Sequence, residues 1–130
     1  LHERLAERGH PDLRPAHGYA FQTIGARGAT GTRIAEALGI TKQAAGQMVD
    51  ELERLGYVRR EPDPADARRK LVRLTDRGED ALRQSAAVFD ELRDEWAAAL
   101  DDPAALERLT ATLRAGAGAF GGSDALRPVW

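Results

Sequence analysis

Hydrophobic and polar positions change period along the middle of the chain. Apolar side chains recur at helical spacing as Ile34, Ala35 and Leu38, and again as Ala45, Met48, Val49, Leu52 and Leu55. Each set predicts a helix with one buried stripe. Thr30 and Thr41 stand where an N-terminal cap is needed, and Gly39 and Gly56 where a chain leaves the helical conformation. Two helices joined by about three residues that include a glycine make a helix-turn-helix. The period then drops to two. Tyr57–Glu61 and Lys70–Leu74 alternate apolar or β-branched residues with charges, the pattern of a half-buried, two-stranded ribbon. Pro62–Arg69, with Pro62 and Pro64 at its start, is expected to be a connecting loop, long for a hairpin.

Helical periodicity returns on both flanks. Leu1, Leu5 and Ala6 read as the end of a helix stopped by Gly9 and Pro11, and Pro15 opens a second helix that reaches Gly25. Ala20, Phe21 and Ile24 form the inner face of that second helix. After the ribbon, Thr75 or Asp76 caps a long helix, with Glu79 able to complete a capping box with Asp76. Leu82, Ser85, Phe89, Leu92, Trp96 and Ala99 follow steps of three and four, a seam suited to a partner helix. That partner is the final helix or the same helix of a second subunit, and dimer contact is the favoured alternative. Asp102-Pro103 starts the final helix, lined by Leu106, Leu109 and Leu113. Gly116–Gly121 has the spacing of a dinucleotide loop but follows a helix and opens none, so it predicts a hinge instead. The apolar tail beyond it, ending in Trp130, is expected to pack on a dimer interface or into a cleft above the helix-turn-helix lobe.

The polar face of the second helix of the pair carries Lys42, Gln43, Gly46, Gln47, Asp50 and Arg54. Gln43 and Gln47 project side by side from its first two turns, the part that enters the major groove in helix-turn-helix proteins, where an amide can pair with adenine. Gly46 in mid-helix costs about 1 kcal/mol against Ala. It either admits a phosphate or base edge, or allows tight packing of another helix. The ribbon adds Arg68 and Arg69, with Asp66 placed to pair with Arg68 and fix its direction into a minor groove. Arg54, Arg59, Arg60, Arg68, Arg69, Lys70 and Arg73 face only Glu61, Asp63 and Asp66 across this stretch.

Composition narrows the classes. At 130 residues and 42% hydrophobic content, the chain suits one folded domain with a modest core, or one domain with added dimerisation helices. A net charge of -2 argues against indiscriminate coating of nucleic acid, but the charge is segregated. Glu79–Glu107 is strongly acidic and opposes only Arg83 and Arg93 to its carboxylates. The absence of cysteine excludes disulfides and thiolate-ligated zinc, and Ser85 and Ser123 have no histidine near them in sequence. No catalytic constellation, metal site or cofactor is expected. His2, His10 and His17 read as surface or interface residues. No apolar run has the length of a membrane span and no signal-peptide pattern is present. A cytoplasmic protein with no membrane partner is therefore expected.

The run from Arg33 to Gly78, above all Asp66-x-Arg68-x-x-Leu71-Val72-x-Leu74-Thr75, resembles the multiple-antibiotic-resistance regulator (MarR) family of winged helix-turn-helix proteins. The resemblance implies a mainly α fold with a small β-wing, in which a winged helix-turn-helix lobe (14–75) joins N- and C-terminal dimerisation helices (1–13 and 76–130). It implies a homodimeric transcriptional regulator, in most such cases a repressor, that binds a palindromic operator in double-stranded DNA and is released by a small aromatic ligand. Its recognition helix would be read through Thr41, Lys42, Gln43, Gly46, Gln47 and Arg54. Its wing would act through Asp66, Arg68, Arg69 and Lys70. Dimerisation would use Phe89, Leu92, Trp96, Leu106, Leu109, Leu113 and Trp130. The competing reading is a winged helix that docks a protein partner without reading DNA sequence.

Overall fold

The computed structural model describes residues 1–100, 102 and 104–119. Its elements run α1 (His2–Glu7), α2 (Pro15–Ile24), β1 (Ala29–Thr30), α3 (Gly31–Leu38), α4 (Lys42–Arg54), β2 (Val58–Asp63), β3 (Asp66–Leu74), α5 (Asp76–Ala99) and α6 (Ala105–Ala119). The fold is mainly helical with one small antiparallel sheet, that of a winged helix. Local chemistry delimits the central pair of helices. Thr30 Oγ1 accepts the Arg33 N–H at 3.2 Å and Thr41 Oγ1 accepts the Ala44 N–H at 3.1 Å. Each such cap is worth about 1 kcal/mol. Gly39 ends α3 in the left-handed conformation at φ 67°. Ile34 and Ala35 of α3, Ala45, Val49 and Leu52 of α4, and Ala20, Phe21 and Ile24 of α2 are all buried, so the predicted stripes do meet in one core.

The sheet has three strands in the order β1-β3-β2, one more than the ribbon expected from sequence. Ala29 pairs with Val72 and Thr30 with Leu71, a contact too short to leave any periodicity. The predicted loop Pro62–Arg69 is also corrected. Pairing continues to Asp63 opposite Asp66, with a register shift at Pro62/Asp63, and only Pro64 and Ala65 form the turn. Pro62 is tolerated because β2 is an edge strand, where a missing N–H need not break a ladder. Asp63 Oδ1 accepts the Ala65 N–H at 2.9 Å and closes the tip.

Behind the sheet, Tyr57 is fully buried between α4 and β2. Its ring lies 5.7 Å from those of His10 and Phe21, and the Arg77 guanidinium sits 4.6 Å from its centroid. The hydroxyl accepts from Arg77 and lies 3.3 Å from His10 Nδ1, while His10 Nε2 lies 2.9 Å from the Asp80 carboxylate. His10 is thus a core residue satisfied at both nitrogens. His17 is 1% exposed. The expectation of surface or interface histidines fails for both, His10 because its partners come from distant elements and His17 because it lies on the buried face of α2.

His17 Nδ1 accepts the Arg14 N–H at 3.3 Å at the start of α2. Protonation would remove that acceptor. Burial, followed by the Arg14 charge, pushes the imidazole below its ordinary 6.5, against the opposing pull of Glu51. The unfolded chain therefore takes up this proton first, and stability falls as pH drops below 6.5 towards the folded value. In His17→Gln the loss of unfolding free energy from about pH 7 to about pH 5 should be smaller than in the parent, measured by urea titration. Equal losses would remove His17 from the acid response.

The chain forms two compact units, Leu1–Ser85 and the residues from Ala86 onward, with α5 beginning in the first. In the first unit, Thr75 is the cap of α5. Its Oγ1 accepts the Gly78 N–H at 3.2 Å and donates to the Gly56 carbonyl at 2.6 Å. The Asp76–Glu79 box does not form, because a cap at Thr75 puts Gly78 at the third helical position. The buried residues of α5 are Gly78, Ala81 and Val88, the last two one residue off the predicted seam. In the second unit, Phe89 and Leu92 are half-buried, whereas Trp96, Leu109 and Leu113 are 63%, 51% and 57% exposed. Leu106 is half-buried, and Asp102 Oδ1 accepts the Ala104 N–H at 2.9 Å. The hinge expected from Gly116 is helix as far as Ala119, where intervening alanines offset the glycine cost. Pro103 and the tail with Trp130 lie outside the described residues.

Candidate nucleic-acid interface

The open side of α4 is built by its spacing. At 100° per residue, Gly46, Gln43 and Gln47 span about 100° of helix surface, away from the Ala45–Val49–Leu52 stripe. Thr41, Lys42, Gln43, Gln47 and Arg54 are exposed. A Cβ added at Gly46 would meet nothing within 4 Å, so no intrachain packing requires this glycine. Gly46→Ala should therefore leave the fold intact and stabilise it by up to about 1 kcal/mol. A lower thermal midpoint in this variant would show that the glycine serves the fold after all.

The structure divides the sequence-predicted helix residues between two flanks. Lys42 and Gly46 line an open cleft of about 650 Å³ bounded by the start of α3, by α4 and by the wing strands. Arg33, Arg60, Arg69 and Lys70 line the same cleft, with Glu36 the acid among them. Gln47 instead borders a smaller cavity of about 270 Å³ beside Arg14, His17 and Glu51. Arg54, at the end of α4, lines neither. Sequence reasoning missed Arg33 and Arg60 as cleft residues. Arg33 could have been found from its place three residues after the Thr30 cap, in the first turn of a helix whose N-terminus is open. Arg60 could not, since its direction depends on tertiary pairing with Asp50 and Glu53.

At the wing tip Asp66 Oδ1 accepts both the Arg68 N–H and its Nε–H at 3.1 Å. Arg69 Nε lies 3.6 Å from the other oxygen. The Arg68 side-chain bond, reinforced by its backbone N–H and by the Arg69 charge, holds the Asp66 carboxyl below the usual carboxylate range. Asp66 thus stays an anion, anchoring one edge of a guanidinium whose side chain is 92% exposed. No group of three or more His, Cys, Asp or Glu suited to a metal occurs among the described residues, and no helix among them is long and apolar enough to cross a membrane.

The segment that carries this geometry matches a known family: residues 12–69 fit the MarR family. Over that segment the chain is similar to the MarR family. The chain is 34% identical over 87 residues to the transcriptional regulator HosA of Escherichia coli O111:H-, a match covering 66% of it and 64% of HosA. It is 35% identical over 85 residues to the LexA repressor of Deinococcus radiodurans, covering 63% of it and 38% of LexA. It therefore spans less than two thirds of the length of these curated relatives. MepR, a transcription regulator of the Staphylococcus aureus multidrug efflux pump MepA, superposes with TM-score 0.68 at 22% identity, over 91% of this chain and 87% of MepR. The MepR–DNA complex superposes at 0.63 with 24% identity, over 91% and 87% of the two chains. These two superpositions carry the fold.

Proposed function

We propose that this chain is a sequence-specific transcriptional regulator of the MarR family, working as a homodimer on a palindromic operator. The observation that carries this reading is the cleft in which Arg33, Lys42, Arg69 and Lys70 converge beside the unobstructed Gly46. Phosphates fit such a row of cations, and they set register while base edges supply specificity. Gln43 and Gln47 read bases from the major groove, with Thr41 and Lys42 at the helix start and Arg54 on the backbone. Arg68, aimed by Asp66, enters the flanking minor groove. Two recognition helices then lie about one helical turn apart along the duplex.

Dimerisation rests on the apolar side chains of the second unit, Phe89, Leu92, Trp96, Leu106, Leu109 and Leu113. Covering a fully exposed side chain of this size is worth about 1.5–3 kcal/mol. Repression, release by a small aromatic ligand and a cytoplasmic location follow the family pattern.

Selection of duplexes from a random-sequence pool, followed by the mass of the complex, tests this reading. A palindromic consensus bound by two chains supports it. Failure to enrich any sequence, or a single chain per site, overturns it. With the selected duplex in hand, Arg68→Ala should weaken binding by about 1–3 kcal/mol, measured by titration at fixed salt.

A further inference from the structure

The open face of α4 is not purely basic. Asp50 lies within about 20° of Gln43 around the helix, on the strip that the proposed function turns towards DNA. Its side chain is 68% exposed, and that of Glu53, one turn on towards the wing, is 40% exposed. Two carboxylates there would repel phosphate.

Both are held by one residue from β2. Arg60 NH2 donates to Asp50 Oδ1 at 2.6 Å, NH1 donates to Glu53 Oε2, and the Arg60 backbone N–H donates to Glu53 Oε1 at 3.1 Å. The guanidinium is consumed by this fork, with a side chain only 29% exposed, although it borders the basic cleft. A cation meant for phosphate would not be spent on two acids of the helix beside it. The flat fork geometry suits two oxygen partners, which an ammonium group matches less well.

We propose that Arg60 is a positioning residue that masks Asp50 and Glu53 from DNA and ties the wing to the recognition helix, rather than a phosphate contact. This rests on the DNA-binding reading above. It makes the two acids a brake on affinity, released only by their own removal.

The test uses the duplex selected by the parent chain and compares equilibrium binding of Arg60→Gln, Asp50→Asn/Glu53→Gln and the triple variant. Unmasking in Arg60→Gln should weaken binding by about tenfold or more. Removing the acids as well should return affinity to within about threefold of the parent. The double variant, which frees Arg60 towards the cleft, should bind tighter than the parent, with a salt slope steeper by up to about one unit per subunit.

A triple variant as weak as Arg60→Gln would make Arg60 a direct contact, or a purely structural one, and overturn the proposal. So would a double variant no tighter than the parent. That double variant keeps Arg60 and carries the test if Arg60→Gln does not fold. If the parent chain itself selects no duplex, the DNA-binding reading has failed first, and this proposal falls with it.

Discussion

Raising salt from about 50 to about 200 mM is expected to weaken binding to the selected duplex by roughly 10³–10⁵-fold. The size of the effect follows from counting cations. Arg33, Lys42, Arg69 and Lys70 line one cleft of the chain. In the proposed dimer two such clefts would engage about eight phosphates, and each neutralised phosphate adds about 0.9 to the slope of log affinity on log salt. One copy acting alone would give half that slope and a loss of only about 10²-fold over the same range. The measurement thus reports how many clefts are engaged at once. A nearly flat dependence would mean that these side chains do not meet phosphate, and would favour a protein partner. The net charge of -2 does not weaken the expectation, because the acids between Glu79 and Glu107 lie outside the helix-turn-helix and its wing.

Gly78→Ala should lower unfolding free energy by about 3 kcal/mol and the thermal midpoint by roughly 10 °C or more. In an ordinary first turn the sign would be opposite, since Ala is the better helix former. Here an added Cβ would collide with the Tyr57 carbonyl oxygen and lie 3.2 Å from Leu74 Cδ2. That carbonyl cannot simply step aside. It accepts the Thr75 N–H at 3.0 Å, and Thr75 in turn caps α5 and reaches back to Gly56. The strain would open the seam where α5 leaves the sheet, around the buried Tyr57. Gly46→Ala, at an open site, is the matched control. A Gly78→Ala chain as stable as its parent would mean that α5 can shift there without loss.

What could be read in advance was what is locally encoded. Thr30, Gly39, Thr41 and Gly56 act within a turn of themselves, so their roles are visible as spacing. The stripes of α2, α3 and α4 are likewise local. The errors fall where distant residues decide. Pro62 and Pro64 suggested a long loop, because nothing in sequence says that β2 lies at the edge of the sheet. β1 has two residues and no period to detect. His10 is buried by Tyr57 and Asp80, 47 and 70 residues away, which no count of neighbours could suggest. At the candidate site, the Asp66–Arg68 pair is two residues apart and was legible. The turning of Arg60 onto Asp50 and Glu53 was not, since it exists only once β2 has packed against α4.

The edge position of β2 also bears on how copies of this chain can avoid sticking together. A strand with an uncovered flank is a template for another chain's strand. β2 disfavours such growth with the missing donor of Pro62, the register slip beside it and the charge of Arg59. At the opposite border β1 offers only Ala29 and Thr30. A sheet guarded at both borders resists runaway stacking, so the pairing of copies proposed above falls to helices.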